Sequence, residues 1–387
     1  MSFTRLAIMV LAFVLGGCGS GSVHFMREGA PAGSVPRVEQ LIDLQKSWRR
    51  DIGAGYTNNN FLLIPYVGTG QIYAAEPKGG VVALDKKTGK LLWRRDIGET
   101  LAAGVGVGGV TVVVVTREGE VFGLGAADGL VLWRQKVGSE VLARPVVSGD
   151  RVLLRSGDGQ VIGLSLSSGE VVWRVRRAVP ALSVRGLSAP LIVGDVAVVG
   201  FASGRLSGID PETGRELWNV PISRPSGSNE IDRLVDIDAD PYRIDDLVFI
   251  AAYQSRITAL SLRTQRIQWQ GALSTVRSLG SSGQLLLVTA DDGSVTGVAA
   301  GTGKVQWTQD KIHGRGVTAP LGLGDSTKAV VGDYEGYLYL IDTASGELLG
   351  YKKGRGGAVM GIFAVDEDGN FLTLSENGAL TAWSVRD

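Results

Sequence analysis

Residues that could carry out chemistry are few and scattered. In 387 residues there are two histidines, His24 and His313, and one cysteine, Cys18. No G-x-S-x-G turn and no Cys–His nucleophile is present, so acyl transfer has no obvious machinery. His313, between Ile312 and Gly314, reads as a loop residue. Asp236-Ile237-Asp238-Ala239-Asp240 begins as a calcium loop does. Pro241, however, stands where that loop needs glycine, and Leu247 stands at the twelfth position in place of glutamate. The 56 glycines are spread along the chain and are not gathered into a phosphate cradle. No catalytic residue, cofactor or metal is expected. The chemistry left open is covalent modification and binding.

Cys18 is the candidate for modification. Arg5 precedes an apolar run from Leu6 to Leu15, long enough for a signal-peptide core and too short to span a bilayer. Leu15-Gly16-Gly17-Cys18 resembles the bacterial lipobox, in which the cysteine is acylated and becomes the new N-terminus. Without a second cysteine no intrachain disulfide can form, so the fold must stand without one even in an oxidising compartment. The expected division is a signal peptide over 1–17, a lipidated cysteine and Gly/Ser/Pro-rich tether over 18–37, and one domain over 38–387. Gly19 after the cysteine favours the outer membrane by the sorting rule for such lipoproteins, with the domain facing the periplasm.

A repeat must position whatever binds. Thr88-Gly89-Lys90-Leu91-Leu92-Trp93 is echoed at Asp128–Trp133, Ser168–Trp173, Thr213–Trp218, Thr264–Trp269 and Thr302–Trp307. Ser345–Gly350 keeps the frame and loses the Trp, and Trp48 closes an eighth copy. The tryptophans lie 45, 40, 40, 45, 51 and 38 residues apart, the period of one four-stranded propeller blade. Val110–Thr116 reads as a strand buried on both faces, followed by Gly119–Leu124 and the Trp strand. Asp128-Gly129, Asp158-Gly159, Asp292-Gly293 and Asn377-Gly378 read as type I′ hairpins, with Gly204 and Gly336 in the equivalent turn. After Gly350 only three strands remain, around 359–365, 371–375 and 379–385. The segment ending in Trp48 must therefore supply the fourth. The fold expected is all-β: an eight-bladed β-propeller of four-stranded antiparallel blades, closed by pairing the N-terminal strand with the C-terminal blade. A tryptophan at a fixed place in each blade reads as inter-blade packing rather than a stacking site. Zero formal net charge gives no broad nucleic-acid footprint.

The unit Gly80–Trp93 resembles the PQQ-like propeller repeat. Two families share it: the pyrroloquinoline-quinone alcohol dehydrogenases and the BamB lipoproteins of the outer-membrane β-barrel assembly machinery. The chain is similar to the second from lipobox to last strand. Two irregular segments, Ala181–Gly186 and Asn229–Asp238, resemble that family more specifically. The resemblance implies a non-enzymatic scaffold that supports folding and insertion of outer-membrane proteins. Its implied partner is the periplasmic POTRA domains of BamA, bound through Leu182, Val184, Arg185, Asp236 and Asp238. Val184 stands where a leucine is expected. Unfolded outer-membrane polypeptides are a second class of partner, and the membrane is reached through the anchor. The alternatives are a PQQ-dependent dehydrogenase-like quinoprotein, for which no cysteine pair is available to flank a quinone, and a scaffold of another envelope complex.

Read physically, both segments follow a Trp strand and precede the first strand of the next blade, so they project from one rim on neighbouring blades. The first carries Arg174, Arg176, Arg177 and Arg185; the second carries Asp232, Asp236, Asp238 and Asp240. Loops held on a rigid scaffold are where binding residues concentrate. The simpler alternative is that the two loops pair with each other across the blade boundary.

Overall fold

The computed structural model describes residues 34–386 apart from 57–61, 180–187, 224–236, 238, 252–255, 276 and 325–326. Its 32 strands form eight four-stranded antiparallel sheets. Seven are consecutive: blade 1 spans 66–96, blade 2 101–136, blade 3 146–176, blade 4 191–221, blade 5 242–271, blade 6 280–309 and blade 7 321–353. Blade 8 is composite. Val359–Ala364, Phe371–Ser375 and Ala379–Arg386 are its inner three strands, and Asp43–Asp51 is its outermost. The two ends of the chain pair over Asp43↔Arg386 to Asp51↔Ala379. The ring closes as its sequence requires.

The second and third strands of each blade are buried on both faces, because they pack between neighbouring blades. Val112, Val113, Val114 and Val115 are all fully buried. Such a strand reads as a continuous apolar run, not an alternating one. The outer strand is half exposed and carries the tryptophan. Each outer strand also has a bulge at the residue before that position, between Gly123 and Leu124 opposite Leu132 in blade 2 and between Lys46 and Trp48 at the seam. Asp43–Asp51 thus reproduces the irregularity of a fourth strand in a segment more than 300 residues from its partner.

The tryptophans lock blade to blade. Trp133 of blade 2 lies on Gly169, the turn glycine between the last two strands of blade 3, where any Cβ would collide with the indole. Its Nε1–H donates to the Leu166 carbonyl at 2.8 Å. The same bond runs from Trp48 to Lys86, Trp93 to Ala126, Trp173 to Pro211, Trp269 to Ala300 and Trp307 to Thr343. Two residues further on, Arg50, Arg95 and Gln309 each donate to the carbonyl of that turn glycine. Glycine is required twice over. Its φ is +77° at Gly169, in the left-handed region, and the indole needs the space of the absent side chain.

The turns differ from the type I′ expectation. Asp158-Gly159, Asp292-Gly293 and Asn377-Gly378 belong to the hairpin between the second and third strands. There Ser156 N–H bonds Gln160 O and Gly159 N–H bonds Ser156 O, a three-residue loop. Asp128-Gly129 belongs to the wider turn before the Trp strand, where Gly125 N–H bonds Leu130 O. Only the glycine of each dipeptide has positive φ, whereas type I′ needs two such residues. In blades 1, 4 and 7 an Asp at the start of the turn before the outer strand folds it instead. Asp85 accepts Thr88 N–H at 2.8 Å and the Thr88 hydroxyl at 2.6 Å, and these bonds hold its carboxyl below the usual range.

Blade 7 is the exception that the missing Trp marks. The arm that leads into the closing strand runs along its outer edge. Leu41 N–H donates to Leu349 O at 3.0 Å, and the Gln40 side chain binds the Tyr351 backbone in both directions. A Cβ at Gly350 would meet the Ile42 carbonyl. The next blade has no turn there for an indole to sit on, because its last two strands belong to opposite ends of the chain. Val35 and Val38 pack against the core of blades 6 and 7.

A buried ion pair ties blade 6 to blade 7. Arg315 Nε donates to Asp333 Oδ2 at 2.7 Å, with both side chains at 1 % exposure or less, and the Tyr339 hydroxyl donates to the same oxygen at 2.9 Å. Burial, and then the Asp333 charge, push the Tyr339 hydroxyl far above its ordinary range. The carboxylate also accepts the Glu335 and Tyr337 amides, so the charge is fully hydrogen-bonded, as a buried charge must be.

Trp133→Ala is expected to lower the unfolding free energy by about 3–5 kcal/mol. Gly169→Val is expected to be similarly harmful, and the double variant less harmful than the sum, because both delete one contact. Urea denaturation followed by circular dichroism gives the cycle; strict additivity would refute the lock.

Candidate functional site

The two irregular segments arise between the outer strand of one blade and the inner strand of the next. The first runs from Arg176, at the end of blade 3, to Leu191 of blade 4. The second runs from Pro221, at the end of blade 4, to Tyr242 of blade 5. Leu182, Val184, Arg185, Asp236 and Asp238 lie outside the described residues, as do Asp232 and Cys18. The roots of both segments lie within the described residues.

The inner roots meet. Asp240 Oδ1 accepts the Ala189 amide at 2.6 Å, joining the end of the second segment to the end of the first. Arg144, at the start of blade 3, approaches the same carboxylate at 3.8 Å, and Arg155 donates to the Ser188 carbonyl at 3.4 Å. Pro145, Pro190 and Pro241 each follow these positions, one at the start of each inner strand. Proline suits that place because it fixes φ and the innermost edge needs no ladder donor there. Three consecutive blades are therefore stitched at one end of the ring by Arg144, Ser188–Ala189 and Asp240. Ile237 and Ala239 are buried, Ile237 against Gly200 of blade 4, so the second segment is clamped on its inner side.

Electrostatically, Asp240 is surrounded by protein although 28 % of its side-chain surface stays accessible. Burial raises its carboxyl above the usual range, against the opposing pull of Arg144 and the Ala189 amide. One acid of the second segment is thus spent on holding the first.

The outer root of the first segment is also partly spent. Arg174 donates to Val137 O, Arg176 faces Asp158 at 3.5 Å, and Arg177 bonds Glu216 of blade 4 at 2.7 Å while lying over Phe201. Pairing across the blade boundary therefore accounts for Arg177 and Asp240 and says nothing of Arg185. The outer root of the second segment sits at a boundary whose tryptophan lacks the turn glycine and, among the described residues, the N–H bond. At blade 5 the turn residue is Gln265 at φ +55° in place of glycine, and Trp218 makes none of the N–H bonds found at the other boundaries among the described residues. A cleft of about 320 Å³ opens beside Trp218, bordered by Arg243 and Asp246.

The sequence did not mark Arg144, Arg155 or Ser188. Arg155 and Ser188 lie one blade apart and Arg144 lies two blades from Asp240, and only the ring brings them together. His313 sits in a surface turn, Nδ1 against the Asp310 carbonyl at 2.6 Å. Among the described residues no group of three or more His, Cys, Asp or Glu could hold a metal ion.

Asp240→Asn keeps the bond from the Ala189 amide and removes the charge. A carboxyl raised by folding costs stability once ionised, so wild type gains on the variant as pH falls from 7 toward 4. Thermal midpoints of both proteins across that range check this; a constant difference would refute the buried charge.

The model of a protein family described as outer membrane protein assembly factor BamB matches residues 77–309 and 291–387. Relatives of that name include those of Pseudomonas aeruginosa, 37 % identical with all of both chains covered, and Marinobacter adhaerens, 42 % identical over 98 % of this chain and 95 % of the relative. The Escherichia coli relative is 33 % identical over 91 % of each. Among solved structures, BamB from Moraxella catarrhalis superposes with TM-score 0.80 at 26 % identity, covering 88 % of this chain and all of that one. A quinohemoprotein alcohol dehydrogenase from Comamonas testosteroni shares the propeller fold alone, with TM-score 0.67 and 13 % identity over 90 % of this chain and 78 % of that one. By family model and end-to-end relatives alike, this chain belongs to the BamB family of outer membrane protein assembly factors.

Proposed function

We infer that this chain is a non-enzymatic scaffold lipoprotein of the β-barrel assembly machinery, held at the outer membrane and facing the periplasm. Residues 1–17 are its signal peptide. Cys18 carries the acyl anchor, 18–37 are the tether, and the propeller from 38 onward presents one rim to the BamA POTRA domains. The observation that carries the reading is the joined pair of loop roots. Asp240 on Ala189 joins the inner ends of two segments of neighbouring blades, and the sequence of those segments contains Leu182, Val184, Arg185, Asp236 and Asp238. An apolar pair flanked by charge is what a small anchor with a polar rim requires. The relatives' names supply the setting, outer membrane protein assembly. Unfolded outer-membrane polypeptides are a second partner, taken by strand addition at outer blade edges such as those carrying Leu91 and Leu92 in blade 1 and Val131 and Leu132 in blade 2, all exposed.

The purified chain without residues 1–18 is expected to retain the BamA periplasmic domains in a pull-down. Arg185→Ala and Asp236→Ala are each expected to reduce retention at least tenfold with an unchanged circular dichroism spectrum. Equal retention by folded variants would make the loops structural.

Radiolabelled palmitate is expected to enter the wild type and not Cys18→Ala when both are produced in a Gram-negative host. Label in both would dismiss Cys18 as the acyl site.

A further inference from the structure

The seam opens a cleft of its own, lined by strands from the two ends of the chain. No indole bridges the outer strands of blades 7 and 8, and beside the arm that replaces it a cleft of about 400 Å³ opens outward. Its floor is Leu44 and Trp383, both buried, and its walls carry Lys46, Arg49, Lys352, Lys353 and Arg355. Asp43 bonds Lys352 at 2.9 Å and Asp51 bonds Arg49 at 2.8 Å. Lys353 lies over the Tyr337 ring at 4.7 Å, and Lys46 and Arg355 are exposed with no carboxylate partner among the described residues. Five cations therefore meet two carboxylates in a chain whose overall charge is zero.

A cationic wall over an apolar floor selects the ligand. Arg offers forked donors and Lys a point charge to phosphate oxygens, while Leu44 and Trp383 suit the glycerol and first methylenes below them. Position adds a second argument. The arm over residues 34–42 reaches the ring along this same edge, with Val38 packed on blades 6 and 7 and Gln40 bonded to Tyr351. Fifteen residues separate Cys18 from Ser34, and fully extended they reach about 50 Å at most. An acyl group on Cys18 keeps this edge close to a bilayer surface.

We propose that the seam cleft is a phosphate site that takes the headgroup of an anionic phospholipid, so that the ring seats its seam edge on the membrane it is tethered to. This rests on the anchored reading above, but headgroup binding can be measured without the anchor. The full chain in dodecyl maltoside would be titrated calorimetrically with dihexanoyl phosphatidylglycerol, dihexanoyl phosphatidylcholine and inorganic phosphate. The variant is Lys46→Gln/Lys353→Gln/Arg355→Gln, three exposed side chains that pair with no acid among the described residues, and its fold is checked by circular dichroism. The wild type is expected to bind the glycerol lipid at least tenfold more tightly than the choline lipid, with the preference weakening as salt rises and lost in the variant. Equal binding of the two lipids, or an unchanged preference in the variant, overturns the site. Binding of inorganic phosphate without the glycerol lipid assigns the cleft to a free anion and overturns the lipid source. A chain that takes no palmitate would sink the anchor and leave this titration unchanged, so the two failures are distinguishable.

Discussion

Six of the eight blade boundaries are fixed by an indole lying on a glycine. A propeller blade alone is a twisted four-stranded sheet with two apolar faces, and it is stable only between two others. Packing of Val and Leu between blades is strong but directionless, and it would tolerate sliding. The Trp fixes the slide. Its ring covers one turn of the next blade, its N–H finds the carbonyl three residues before the turn glycine, and the residue two further on binds that glycine's own carbonyl. The contact is worth several kcal/mol by area and about 1 kcal/mol for the bond, repeated around the circle. Short strands that could pair in many registers are thereby held in one.

This device made the fold legible. A tryptophan at the sixth place of the repeat, with a glycine four residues before it at Trp93, Trp133, Trp173, Trp218 and Trp307, is a pattern that packing alone demands, and the blade count and seam followed from it. The turns were less legible. An Asp-Gly dipeptide suits several hairpins, and the loop length between hydrogen-bonded residues chooses among them. That length depends on where each ladder stops, which the bulge before every Trp shifts by one residue. Gly350 could be read only as a lost tryptophan. Its cause is non-local: the arm over Gln40–Ile42 occupies the place.

The candidate site was legible in its irregularity and not in its chemistry. Residues that break a 40-residue period must be paid for by something other than the ring. The 51-residue interval after Trp218 marks the place. The partners of Asp240 could not be read, because Ala189 and Arg144 belong to two earlier blades. The structure also links insertion to weakness. Where the second segment leaves, Gln265 replaces the turn glycine and the Trp218 lock is loosened. A long excursion and a relaxed boundary occur together, as though the clamp at Asp240 has taken over part of the work of the lock.

Closure by the first strand has a mechanical consequence. The arm enters the ring through Gln40–Ile42, bonded to Leu349 and Tyr351, and continues as the outermost strand of blade 8. Tension applied from the N-terminal side would first peel those few bonds from blade 7. It would then act along Asp43–Asp51, parallel to the strand and across its whole register with Ala379–Arg386. A ladder pulled in that direction is loaded in shear, with its bonds sharing the force, rather than unzipped one at a time. The arm is thus a sacrificial strain relief, and the strand behind it is the coupling that would carry a sustained pull without opening the circle.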